Sequence, residues 1–210
     1  MNVTSNEAKK YSFSPELGLR WGRQFEGTFG YTVGLFHNLR LSQKFSINHG
    51  ISYESNKNQA GFTDFEGSNI LFAKRDINTI QNTINVKYSF TNKMGLTLNV
   101  RHYWSGVRPT ELLLLNTQGY LEKTNLIAIP PTDYNRNFNS FALNMIYTWQ
   151  VANGSFLNIV WQDEAFESVR KDYEENYFKN VGRSFAVNNA NTISVKLVYF
   201  LDYLHLKKGK

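Results

Sequence analysis

Cysteine is absent from all 210 residues, which excludes disulfides and thiolate metal sites. No run of about 20 apolar residues exists either, so no helix of membrane-crossing length is expected. Catalytic signatures are missing: there is no Gly-x-Ser-x-Gly, no phosphate-cradling glycine loop and no dinucleotide fingerprint. The four histidines, His37, His49, His102 and His205, lie in different segments without metal-ligand spacing. His49 and His102 fall on an apolar parity near strand ends and read as interfacial imidazoles. The acidic residues Asp163, Glu164, Glu167, Asp172, Glu174 and Glu175 lack the spaced ligands and turn glycine of a calcium loop and read as a solvated loop. Asp64 and Glu66 are close in sequence, but that does not set the roughly 5–9 Å carboxyl spacing of a glycosidase. No catalytic residue, metal site or cofactor is expected, and the chain reads as a non-enzyme. Its net charge of +6 and pI near 9.4 come from scattered bases, clustered only at Lys207, Lys208 and Lys210. Without a recognition helix or an RNA-binding motif, nucleic acid is not an expected partner.

What is present is alternation. Residues 11–21 set Tyr11, Phe13, Leu17, Leu19 and Trp21 against Ser12, Ser14, Glu16, Gly18 and Arg20. The same parity contrast recurs over residues 25–35, 39–53, 80–90, 94–104 and 193–203. Successive strand side chains point to opposite faces, so each segment has one apolar and one polar face. These segments are about twice the usual soluble strand of roughly five or six residues. They match the roughly 9–11 tilted residues of a strand that crosses a bilayer. A mean hydropathy of -0.43 suits such a strand set, because only every second residue meets lipid. The expected fold class is all-β: an antiparallel up-and-down transmembrane-type β-barrel, with about 8–10 strands present.

The aromatic residues agree with that reading. Trp21, Tyr53, Phe90, Trp104, Trp149, Trp161 and Tyr203 sit at segment ends, where amphipathic rings meet the headgroup level. The polar parity carries the candidate lumen charges Glu16, Arg20, Glu26, Lys44, Lys87, Arg101, Lys196 and Asp202. They read as cross-strand ion pairs filling a lumen, or else as a cation-lined passage for anionic solutes. Short connections are expected at residues 22–24, at Asn38, at 91–93 and at 150–154, where Asn153-Gly154 supplies a tight turn. Long ones are expected at 105–138 and 162–190, outside the membrane on one side, and a fairly long one at 54–68. A small hairpin around residues 116–119 rides on the first long loop, and residues 70–74 form a strand of weak alternation. The domain reading is a disordered or linker segment 1–10, one barrel domain 11–204 and a basic tail 205–210.

Three stretches carry a resemblance: Asn139-Ser-Phe-Ala-Leu-Asn-Met-Ile-Tyr-Thr-Trp149, Gly154-Ser-Phe-Leu-Asn-Ile-Val-Trp161, and Asn191-Thr-Ile-Ser-Val-Lys-Leu-Val-Tyr-Phe-Leu-Asp-Tyr203. Residues 94–104, ending Arg101-His-Tyr-Trp104, fit as well. Together they resemble the end of a family of large, functionally unassigned bacterial outer-membrane proteins. In that family a domain similar to a carbohydrate-binding module precedes a C-terminal barrel. The resemblance covers roughly residues 70–203, and the family's N-terminal domain is absent from this chain. It implies an outer-membrane location, the lipid bilayer as a partner, and a role as anchor or translocation element of a larger, carbohydrate-associated surface protein. The N-terminus has no apolar signal core, and the count of about nine membrane-length strands is odd. The expectation is a C-terminal portion of a larger barrel, with the missing N-terminal part of its own chain as a further partner. The alternative is a soluble β-barrel or sandwich binding an apolar or sugar ligand, in which the apolar parity lines the interior.

Overall fold

The computed structural model describes residues 4–124 and 129–201. In chain order these form β1 (Tyr11–Trp21), β2 (Phe29–Arg40), β3 (Phe45–Glu66), β4 (Asn69–Thr91), β5 (Met94–Leu115), β6 (Leu121–Lys123), a 3-10 turn (Pro131–Tyr134), β7 (Arg136–Ala152), β8 (Ser155–Arg170), α1 (Tyr177–Ala186) and β9 (Ala190–Val198). All nine strands belong to one sheet, ordered β1-β2-β3-β4-β5-β7-β8-β9, with β6 on the end of β5. Every pairing is antiparallel. The up-and-down order and the all-β class are as expected. Closure is not: among the described residues no ladder joins β1 to β9, and the sheet is open.

The alternation holds wherever one face is apolar, and the register carries it across the sheet. One row reads Tyr11, Leu39, Ile47, Val86, Leu98, Met145, Trp161 and Ile193. The strands run well past the expected ends. Residues 54–68 are strand up to a two-residue turn at Gly67 and Ser68, with Gly67 at φ 58°. Residues 70–74 and 80–90 are parts of one strand, β4. The expected loop 105–138 is strand up to Leu115 and again from Arg136, and 162–190 is strand up to Arg170 and then holds α1. The hairpin around residues 116–119 is present, as β5 paired with β6. At the other end, the β2–β3 turn is residues 41–44 rather than Asn38; β1–β2 turns over 22–28, at the same end as Gly67. In the β7–β8 turn Gly154 alone takes positive φ, 75°, beside a register shift at Val151. Residues 1–10 are expected as a disordered or linker segment; of these, Ser5 exchanges hydrogen bonds of 2.8 and 3.0 Å with Phe13 of β1.

Two irregularities have clear causes. Asn58 (φ 54°) bulges out of β3 and is held by Asp76 Oδ1 (3.2 Å), which accepts from its backbone N–H. Pro109 sits inside β5 where the ladder skips Thr110; a proline cannot donate, so in a sheet it belongs at such a shift. The connections 41–44, 92–93 and 153–154 are short and share one end of the sheet. The longer ones, 116–135 and 171–189, share the other. No second sheet covers this one among the described residues. Of its buried apolar side chains, Leu71, Ala73, Leu112 and Leu113 gather where β4, β5 and β6 meet, above the alternating zone, while Trp104, Phe141 and Ala165 lie lower, on β5, β7 and β8.

Candidate functional site

The apolar parity forms a continuous belt across one face. Its upper limit is Trp21 on β1, Phe29 on β2, Tyr53 on β3, Ile80 on β4, Trp104 on β5, Phe141 on β7, Trp161 on β8 and Ile193 on β9. The next residues on that face are Ser55, Asn78, Gly106, Asn139, Asp163 and Asn191 on β3 to β9. That limit descends across the sheet. Trp21 lies ten residues beyond Tyr11, and Tyr11 stands in the row that ends at Ile193. Ten residues at about 3.4 Å each give about 34 Å of descent, and seven strand spacings of about 4.8 Å give about 34 Å of width. Rows run perpendicular to antiparallel strands, so the belt edge crosses the strands at about 45°. The lower limit, through Tyr11, Phe45, Phe90, Trp149 and Leu197, falls in the same direction. Many belt side chains are open to the surroundings: Leu17 and Leu19 at 54%, Trp21 at 70% and Ile193 at 72%.

The aromatic residues expected at segment ends lie on these limits. Trp21, Tyr53, Trp104 and Trp161 mark the upper edge, and Phe90 and Trp149 the lower. Trp104 is the exception in exposure. It is 2% exposed, because Tyr173 covers it and its Nε1 donates to Asn137 Oδ1 (2.8 Å). It is a buried docking residue rather than an open rim residue. Tyr203 lies outside the described residues.

A polar line crosses the belt. The Tyr11 hydroxyl meets His37 Nδ1 (2.7 Å), and the His37 ring stacks on His49 at 5.6 Å. His49 Nε2 meets Asn82 Oδ1 (3.1 Å). Asn82 stands beside His102 in the β4–β5 register; His102 Nδ1 meets the Tyr177 hydroxyl (3.2 Å) and its Nε2 meets Ser184 Oγ (3.1 Å). Sequence spacing separated these histidines; the register unites three of them, and His205 lies outside the described residues. The line holds no carboxylate. Ser184 beside His102 has the partner of a nucleophile, but the two are 1% and 6% exposed and sealed under α1. Among the described residues no three His, Asp or Glu side chains group to hold a metal ion.

The segment leading into α1 and the helix itself were expected as loop. Asn176 caps the helix, its Oδ1 accepting from Lys179 N–H (3.1 Å). The acidic residues there are engaged as ion-pair partners. Glu174 holds Lys179 (3.3 Å), Asp172 pairs with Arg183, and Glu175 reaches Arg108 (4.0 Å). The backbone N–H of Asn176 holds the Glu174 carboxyl below the usual range, and the Asp172 carboxylate raises Arg183. Burial pushes the Tyr177 hydroxyl up.

On the opposite face the candidate charges separate. Arg20 pairs with Glu54 (3.4 Å), and Glu16 lies against the bare backbone of Gly34. Lys87, Arg101 and Lys196 stand on this face at different heights, with no carboxylate paired to them among the described residues. Glu26 and Lys44 lie in the turns 22–28 and 41–44 rather than along strands, because β2 starts at Phe29 and β3 at Phe45. Asp202 lies outside the described residues. The sequence reading missed Arg75, whose guanidinium lies where a Gly61 side chain would be. Burial and the nearby Arg136 lower its pKa. Asp64, one of the two carboxylates considered for glycosidase chemistry, is tied to Arg170 (2.9 Å).

A family model described as "Domain of unknown function (DUF5916)" matches residues 1–210, and the chain belongs to that family. No curated protein and no solved structure matches.

Proposed function

We propose that this member of a family of unassigned function is part of the wall of an outer-membrane β-barrel, with the oblique apolar belt against lipid and the opposite face toward the lumen. The belt carries the reading. Membrane barrel strands tilt about 35–45° from the membrane normal. A hydrophobic slab cut across strands so tilted leaves an apolar band inclined to the register rows by that angle, and the belt edge runs at about 45°. A soluble sandwich needs a second layer over the belt, and the single sheet of described residues supplies none. One end carries only short turns, while the other carries the two longest connections beside the turns 22–28 and 67–68; this suits the same orientation, with the long connections outside the cell.

The role is structural: an anchor or translocation element within a larger surface protein. The likeness of residues 139–149, 154–161 and 191–203 to the end of large outer-membrane proteins supports that role. Their leading domain, similar to a carbohydrate-binding module, supports a link to carbohydrate. The scattered bases and the Arg20–Glu54 pair favour a lumen filled by its own charges over a selective passage. Paired arginine substitutions test the reading. Leu98→Arg and Val195→Arg place a charge near the belt centre and are expected to cost about 2–4 kcal/mol in urea unfolding from vesicles. Thr97→Arg and Ser194→Arg, on the other parity, are expected to cost far less. Equal costs at the two parities rule the reading out.

A further inference from the structure

An amphipathic helix on a soluble protein turns its apolar stripe inward; α1 does the reverse. Tyr177, Asn180 and Ser184, at spacings of three and four, form the ridge that faces the sheet. Asn180 and Ser184 are 0% and 1% exposed. Asn180 Oδ1 accepts from Asn137 Nδ2 (2.7 Å) and Asn139 Nδ2 (3.2 Å), while Tyr177 and Ser184 hold His102. The parallel ridge Phe178, Val181 and Phe185 carries the apolar residues, with Phe178 82% and Phe185 58% exposed. In water nothing favours presenting two phenylalanines outward while burying asparagine and serine.

The helix has a definite place relative to the belt. It crosses the strands, from His102 on β5 to Phe141 on β7, where the belt ends. Phe185 meets Phe141, the last apolar residue of β7, with ring centroids 4.9 Å apart. Asn180 reaches Asn137 and Asn139, the next residues upward on that face. On a helical wheel, the Phe178–Phe185 ridge and the Lys179–Arg183 side therefore flank the docking ridge, the first toward the belt and the second away from it. The away side is occupied by the preceding segment, whose Glu174 and Asp172 neutralise Lys179 and Arg183. Tyr173 there covers Trp104 and donors higher up: Asn78 Nδ2 donates to its hydroxyl (2.8 Å), and Arg108 lies over its ring.

We infer that α1 is an interfacial membrane helix, pinned to the sheet by its polar ridge and dipping Phe178, Val181 and Phe185 into the bilayer at the headgroup–acyl boundary. The inference rests on the lipid-facing belt and extends it: the apolar surface continues from Phe141 through Phe185 onto the helix. The occupant is lipid rather than a protein partner. The ridge is too short for a groove-filling helix, at about 15 Å for ten residues, and it is continuous with the belt. Interfacial helices bury their apolar face about 5–10 Å into the headgroup–acyl boundary, which suits a helix docked at the belt edge.

The absence of cysteine makes the test direct. Single variants Phe178→Cys, Phe185→Cys, Lys179→Cys, Leu98→Cys and Thr97→Cys of the full chain are nitroxide-labelled in phosphatidylethanolamine–phosphatidylglycerol vesicles. Oxygen and a water-soluble nickel chelate then compete for each label. The expected oxygen-to-nickel accessibility ratio is highest at Leu98. It is intermediate at Phe178 and Phe185, several-fold above that at Lys179. Leu98 in lipid with Phe178 and Phe185 as water-exposed as Lys179 overturns the helix inference and leaves the belt standing. Leu98 as water-exposed as Thr97 overturns the belt and the helix inference together.

Discussion

Asn82 is the residue on which the belt's polar line turns. It lies among Ile80, Ile84 and Val86 on an apolar face, yet its Oδ1 holds His49 on one side and it stands beside His102 on the other. A polar group in hydrocarbon is tolerated when it is paired, and removing one partner leaves the other with its full desolvation cost. Asn82→Leu is therefore expected to destabilise by about 1–3 kcal/mol. The double variant Asn82→Leu/His49→Leu, which removes both ends of that bond, is expected to lose less than the two single changes summed. Urea unfolding from vesicles, read as a double-mutant cycle, checks this; strict additivity would mean the pair is not coupled. The residues of this line were all visible in the sequence, but their convergence was not. His37 and His49 stand twelve positions apart, and only the β2–β3 register sets them side by side. Trp104 illustrates the same limit. Its position at the belt edge follows from parity, whereas its burial depends on Tyr173, 69 positions later.

At the scale of elements, β6 is a three-residue strand held by one carboxylate. Glu111 on β5 receives Lys123 of β6 (2.8 Å) and Lys74 of β4 (3.4 Å). The Lys123 hydrogen bond, with help from Lys74, holds its carboxyl below the usual range. A lowered carboxylate pKa stabilises the fold above the unfolded value, about 4.3, and that contribution is lost as pH falls through the lower folded value. The β5–β6 ladder, Leu113 with Lys123 and Leu115 with Leu121, is thus expected to loosen below about pH 4. Amide exchange of residues 121–123, corrected for intrinsic rate, reads the change. Glu111→Gln is expected to abolish the pH step, and an unchanged step would remove Glu111 from this role. Elements were legible where their two faces differ. From residues 11 to 53 and 80 to 104 the contrast of parity is strong, and strands follow directly. Just above the belt β3 and β4 are largely polar on both faces, with Ser55, Lys57, Asn78 and Asp76 against Glu54, Asn56 and Thr79, Ile77 being the exception. The bulges at Asn58 and Thr110 break the phase as well, so that stretch read as loop. Helix α1 was hidden by its setting in a charged run. Its signal was the Asn176 cap followed by apolar residues at 178, 181 and 185.

Across the whole molecule, protection is uneven. β4 and β5 are flanked on both sides, whereas β9 has a single neighbour and every one of its residues is exposed. A strand with one partner opens more readily than one with two. Native-state amide exchange is therefore expected to be slowest in the lower halves of β4 and β5 and fastest in β9. Protection of β9 equal to that of β5 in the isolated chain would mean that the sheet closes or pairs with another copy. An exposed apolar edge of this kind is also a site of association, and within a wider barrel it would be paired. The expectation of a barrel rested on parity and strand length, which report how a strand meets its surroundings. Closure depends on what lies beside the two outermost strands, and no residue inside a strand encodes that. One further consequence follows from the height of β3 and β4. From Tyr53 to the turn at Gly67 the chain climbs past Glu66, thirteen residues beyond the belt. At about 3.3 Å per residue and the inclination of the belt edge, that is a stand-off of about 30 Å above the lipid, the diameter of a small domain. On the membrane reading the protein has two storeys: α1 greets whatever lies flat on the bilayer, while the Gly67–Ser68 crest meets first whatever arrives from solution.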